Sequence, residues 1–69
     1  MPLTMVGIGE TTVIKRIKGT DETRKFLKSL GFVMGAYVTV ISDIAGNMIL
    51  KIKDTRIALD KSMVNRILV

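Results

Sequence analysis

The stretch Arg24–Gly35, RKFLKSLGFVMG, decides how this chain folds. It reads as the end of an amphipathic helix, a glycine stop, and a second glycine that opens a strand. Leu27, Leu30 and Phe32 are apolar anchors. Gly31 is suited to the left-handed position that ends a helix, and Phe32 follows it where an apolar contact closes such an end. Gly35 is a turn glycine ahead of the strand run Tyr37-Val38-Thr39-Val40. Working back, the spacing predicts a helix over Thr20–Leu30. Thr20 or Asp21 can accept bonds from its free first-turn amides. Asp21 and Glu22 in the first turn and Lys28 in the last suit the helix dipole. Thr23, Phe26, Leu27 and Leu30 stand at i, i+3, i+4 and i+7, one face of a helix. Arg24, Lys25 and Lys28 point elsewhere, and both phenylalanines are expected in the core.

Downstream, Tyr37–Ser42 and Asn47–Lys53 are predicted to form a hairpin. Ile44-Ala45-Gly46 fits a three-residue loop with glycine at the left-handed position. That loop would pair Asp43 with Asn47, Ile41 with Ile49, Val40 with Leu50, Thr39 with Lys51 and Val38 with Ile52. Val38, Val40, Leu50 and Ile52 then share a core face, and Tyr37, Thr39, Ile41, Ile49, Lys51 and Lys53 share the other. A slip of one residue would destroy that sorting. Asp54-Thr55 reads as a tight turn and Arg56–Leu59 as a short strand with Ile57 and Leu59 on one side. Asp60 should cap a short helix over Lys61–Arg66 that returns Val64 and Ile67 to the core. Ile67-Leu68-Val69 is apolar to its last residue, so it is expected to pair as a strand. Upstream, Thr11–Lys18 is bounded by Gly9 and Gly19 and reads as a strand. Its phase conflicts, because Val13 and Ile17 share one face and Ile14 takes the other; a bulge near Ile14-Lys15 would resolve this. Short strands, tight turns and one inserted helix imply a mainly β fold, a small and strongly bent barrel.

Composition limits what such a barrel can do. With 69 residues, one domain over 1–69 is expected. A chain of about 60 residues buries only roughly 60% of its unfolded surface. There is no cysteine and no histidine, so disulfides, thiolate sites and the commonest transition-metal ligand are all absent from the chain. A hydrophobic content of 48% makes an apolar core feasible. No segment reaches the ~18 apolar residues needed to span a bilayer. The start, MPLTMVGIGE, lacks a basic region followed by a continuous apolar run, so it does not read as a signal peptide, and a cytoplasmic location is expected. Eleven Lys and Arg against six Asp and Glu leave a net charge of +5, which favours anionic partners.

Catalytic chemistry finds little to work with. Ser29, Ser42 and Ser62 have no histidine to act as base, and a Ser–Lys pair is the one arrangement left. Glu10, Asp21, Glu22, Asp43, Asp54 and Asp60 sit at strand edges, caps and turns, where carboxylates are usually structural. Gly7-Ile8-Gly9 precedes a strand, and no G-K-[ST] follows it, so no phosphate loop is expected. Met1, Met5, Met34, Met48 and Met63 are scattered without ligand spacing, and methionine commonly fills core gaps or lines adaptable interfaces. No cofactor, no metal site and no catalytic residue is expected.

The order and spacing of these signals resemble the FeoA family. RKFLKSLGFVMG is similar to its L-x-x-L-G-h-x-x-G core, where h is apolar. Gly9-Glu10, Ile17, Gly19, the hairpin, Arg56-Ile57-Ala58-Leu59 and the ending Met63–Val69 extend the likeness over nearly the whole chain. One departure is the compact tip Asp43-Ile44-Ala45-Gly46-Asn47, where many relatives carry a longer, proline-containing one. The resemblance implies an SH3-like barrel with one inserted helix and a short C-terminal helical turn. It implies a non-catalytic cytosolic adaptor that docks on FeoB, a membrane ferrous-iron transporter with a cytosolic GTP-binding domain. SH3-like barrels of this type also occur fused to metal-dependent repressors, and fold alone does not fix function.

Two surfaces are candidates for binding. One is the basic helix side, Arg24, Lys25 and Lys28. It reads either as a solvated helix face or as electrostatic guidance onto an acidic patch of the transporter or nearby anionic lipid. The other is the hairpin's outer face, Tyr37, Ile41 and Ile49 with Lys51 and Lys53, which reads as an interface, self-association included, or as a face covered by another element. A basic barrel that binds nucleic acid and an SH3-like groove for a proline-rich peptide are the alternatives. Few aromatic residues are available for base stacking or for such a groove, so specific nucleic-acid binding is not expected.

Overall fold

The computed structural model describes residues 1–69. A 3-10 turn, Leu3–Met5, precedes strands β1 (Thr11–Val13) and β2 (Arg16–Ile17). Helix α1 (Asp21–Ser29) is followed by β3 (Tyr37–Ile44), β4 (Asn47–Ile52) and β5 (Thr55–Asp60), then α2 (Lys61–Val64) and β6 (Ile67–Leu68). The strands form an antiparallel four-stranded sheet, β1-β3-β4-β5, and an antiparallel pair, β2-β6. The mainly β barrel expected from the strand pattern is present.

The expected strand over Thr11–Lys18 divides at Ile14-Lys15. The interruption is larger than a bulge: the chain leaves one sheet and joins the other. Ile14 sits between them, donating to Ala36 O at 2.9 Å and accepting from Gly35 N at 2.8 Å, and its side chain is buried. Lys15 N then donates to Leu68 O at 2.8 Å, which starts the pairing of β2 with β6. The phase conflict in the sequence has this cause. Ile14 is the core residue, whereas Val13 is 36% exposed.

α1 begins one residue after its cap, Thr20, whose side chain accepts from Thr23 N at 3.2 Å. Leu27 is fully buried, and Thr23 and Leu30 are half-buried. Phe26 departs from expectation. It is 46% exposed, because a nine-residue helix lying on a small barrel buries a stripe narrower than the full i, i+3, i+4, i+7 face.

The hairpin register also needs correction. The tip has two residues, Ala45-Gly46, with Ile44 paired to Asn47. Both take positive φ, 49° and 81°, the arrangement of a type I′ turn, whose twist matches that of the flanking strands. The pairing of Val38, Thr39 and Val40 with Ile52, Lys51 and Leu50 is as expected. Beyond Val40 the register shifts, so that Ser42 rather than Ile41 pairs with Ile49. A bulge at Ile41 absorbs the residue that the shorter tip releases, and the same core face is preserved. Lys53 belongs to the next turn, at φ 54°, and not to β4.

α2 is shorter than expected, Lys61–Val64, with Asp60 as its cap through Met63 N at 2.9 Å. Val64, Ile67 and Val69 are buried, and β6 pairs with β2 as the apolar ending requires. The opening residues join the same end of the barrel: Leu3 is fully buried, Pro2 bridges to Leu68, and Val69 N donates to Met1 O at 2.8 Å. The thirteen buried residues are all apolar, and no buried polar side chain lacks a partner. With no disulfide, this core carries the stability of the domain.

Candidate docking groove

Arg24 and Lys28 lie one turn apart on α1, so they share a flank. β2 contributes Arg16 and Ile17 to the same surface. The segment after Gly31 turns back and adds Phe32, Val33 and Met34. These seven residues line an open groove of about 460 Å³. Its floor is apolar, from buried Phe32 to Met34, which is 75% exposed, and three cations stand on its walls.

Arg24 is held by Asp21, Nη2 to Oδ1 at 2.6 Å, with both side chains largely exposed. Such a pair contributes under about 1 kcal/mol and chiefly orients the guanidinium. Arg16 and Lys28 form no ion pair, the other one in the chain being Lys61 with Asp43 at 3.0 Å. The groove therefore keeps a positive balance. A wall of guanidinium and ammonium groups over an apolar floor suits a ligand that carries carboxylate or phosphate beside an apolar group.

Sequence reading found Arg24 and Lys28 but missed Arg16, Ile17, Val33 and Met34. Arg16 and Ile17 belong to a strand whose place beside α1 depends on β6, some fifty residues away in sequence, as the pairing of Arg16 with Leu68 requires. Exposed Met34, two residues after Phe32, was the one available local signal. Lys25 is exposed and does not line the groove.

On the hairpin's outer face Tyr37 is 69% exposed and Lys51 is exposed, while Ile41 and Ile49 are half-buried. Lys53 stands in the adjoining turn. A row crosses the sheet there: Thr11 beside Thr39, Thr39 beside Lys51, and Lys51 beside Arg56. The hydroxyls of Thr11 and Thr39 are 2.7 Å apart. Arg56 adds a cation that the sequence reading had left out of this face. Of the three aromatic residues only Phe32 is in the core.

The six acidic side chains form no group of three with metal-binding geometry. Asp60 is a capping carboxylate at the start of α2. The Ser62 hydroxyl and then the Met63 amide, both donating to Oδ1, hold its carboxyl below the ordinary value of 3.8. That is the work of a helix cap, away from the groove.

The FeoA domain family model matches residues 1–69. No match is found among curated proteins. A crystal structure of an iron uptake regulatory protein, FeoA, is 29% identical with a TM-score of 0.87, over 96% of this chain and 88% of that one. FeoA of Stenotrophomonas maltophilia, solved with zinc, is 24% identical with a TM-score of 0.85, over 99% of this chain and 87% of that one. It is described as a prokaryotic SH3 domain protein proposed to activate bacterial ferrous iron transport. A manganese-dependent transcriptional repressor is 18% identical with a TM-score of 0.87, over 97% of this chain but 39% of its own, a likeness of fold alone. The barrel is SH3-like, and with its whole length matched by the family model the chain belongs to the FeoA family.

Proposed function

We propose that this chain is a non-catalytic adaptor that docks through its basic groove on a FeoB-type ferrous-iron transporter and supports iron uptake. The observation that carries the reading is the grouping of Arg16, Arg24 and Lys28 around an apolar floor. The groove is open, and its polar side chains are two arginines and a lysine, with no serine or carboxylate among them. Its chemistry is that of recognition. An acidic segment of the transporter bearing an apolar side chain would pair its carboxylates with the cations and lay the side chain against Ile17, Val33 and Met34. Iron is cargo in this scheme. In this reading the adaptor works in the cytoplasm, at the inner face of the membrane, through its partner.

Titration of the purified chain against a purified FeoB-type transporter in detergent, with and without a GTP analogue, tests the reading. The expected result is saturable binding that weakens about tenfold or more, ~1.4 kcal/mol, on joint Arg24→Glu and Lys28→Glu replacement. Circular dichroism checks that the variant is folded. Absence of binding by the natural chain, or equal binding by the folded variant, rejects it. Retention on nucleic acid that falls steeply with salt would point to the basic-barrel alternative instead.

A further inference from the structure

β5 is a six-residue edge strand, paired on one side only, with β4. Ile52 and Thr55 flank a two-residue turn, so they must exchange both of their backbone hydrogen bonds. The alternation then runs along the strand: Thr55, Ile57 and Leu59 direct their amides and carbonyls to β4, and Arg56 and Ala58 direct theirs outward. The bond from Lys61 N to Gly46 O at 3.0 Å, next to the Asn47–Asp60 pair, fits this phase. No backbone–backbone turn or loop bond reaches residues 55–60. The outward groups of Arg56 and Ala58 thus form an open template of the kind that natural edges usually block with proline, a bulge or an inward-pointing charge. β5 carries none of these.

Its sequence, Arg56-Ile57-Ala58-Leu59-Asp60, is complementary to itself when read antiparallel. A two-fold axis at Ala58 sets Ala58 against its own copy, Arg56 against Asp60 of the second copy, and Ile57 against Leu59. Small Ala58 is exposed and fits the centre. Both capping bonds of Asp60 use Oδ1, from Ser62 and from Met63, so Oδ2 is left to accept from an arginine. A register centred on Arg56 would oppose like charges, and one centred on Ile57 would place Arg56 against Ala58 with no ion pair. Charge therefore selects one register.

We propose that two copies of this chain associate through antiparallel β5–β5 pairing centred on Ala58, with Arg56 of each copy paired to Asp60 of the other. The surface is separate from the basic groove, and the proposal does not rest on the transporter reading. A single strand pairing buries less than about 1,200 Å², the range of weak and transient contacts, so the dimer forms at high protein concentration and dissociates on dilution.

Sedimentation equilibrium over a concentration series, with amide exchange read by NMR, tests the proposal. The natural chain should dimerise, and the amides of Arg56 and Ala58 should gain protection as concentration rises. Ala58→Pro removes an outward amide without breaking a bond to β4, and Arg56→Glu sets like charges against Asp60. Each should weaken the dimer about tenfold or more. If the proline variant unfolds, Arg56→Glu decides. A natural chain that stays monomeric at about 1 mM overturns the proposal. So does a dimer that Arg56→Glu leaves undiminished, or one that protects other amides while Arg56 and Ala58 keep exchanging.

Discussion

The amide of Phe32 donates to the carbonyl of Leu27 at 3.1 Å, across a Gly31 held at φ 103°. Gly31 N donates at the same time to Lys28 O at 3.0 Å, so two carbonyls at the end of α1 are satisfied by one left-handed residue. Gly31→Ala should therefore destabilise the domain by about 1–2 kcal/mol. A Cβ there would meet Ile52 Cγ1 at 3.6 Å, ordinary contact, so the cost is in the backbone. Urea unfolding with an unchanged slope and a lower midpoint is the expected result.

Phe26 and Phe32 look alike in the sequence and differ in the fold. Phe32 is 1% exposed and Phe26 46%. Phe32→Ala should cost about 3–5 kcal/mol, enough to leave so small a domain largely unfolded. Phe26→Ala should cost under about 1 kcal/mol. Thermal melts of the two variants measure the difference; equal losses would return Phe26 to the core.

Ala45 stands at φ 49°, the first central position of a type I′ turn, where asparagine is preferred. Ala45→Asn should raise stability by about 0.5–1 kcal/mol, since Asn tolerates the left-handed region better than Ala. Gly46, at φ 81°, should tolerate no such change, and Gly46→Ala should lower the melting temperature.

The carboxyl of Asp60 titrates below its ordinary 3.8 because the Ser62 hydroxyl and the Met63 amide donate to it. A lowered folded-state value means that the unfolded chain takes up the proton first. The stabilisation is thus complete at neutral pH, begins to fade as pH falls through 3.8, and is gone once the folded carboxyl protonates. Asp60→Asn, which keeps a capping oxygen without the charge, should flatten that part of the stability–pH curve. Urea midpoints at neutral pH and in acid, for both proteins, measure it.

Much of the architecture was readable because its causes are local. The α1 cap, the Gly31 stop and the alternation of Val38, Val40, Leu50 and Ile52 depend on residues a few positions apart. The β3–β4 tip was misread although it too is local. A three-residue loop and a two-residue loop with a bulge at Ile41 preserve the same core face, and alternation alone does not separate them. Two of the three cations of the candidate site were legible for the same reason: Arg24 and Lys28 share a helix flank whatever surrounds it.

What the sequence determined by itself, then, is the set of elements, their capping and turn chemistry, the positive charge and the lack of histidine and cysteine. Tertiary structure alone decided that Leu3 and Ile14 are core, that Phe26 is not, and that Arg16 joins Arg24 and Lys28. The physical reason is range. A cap or a turn acts through bonds between near neighbours. Burial of Leu3, the sheet change at Ile14 and the company of Arg16 depend on how the two ends of the chain close the barrel, where Pro2 and Arg16 both pair with Leu68.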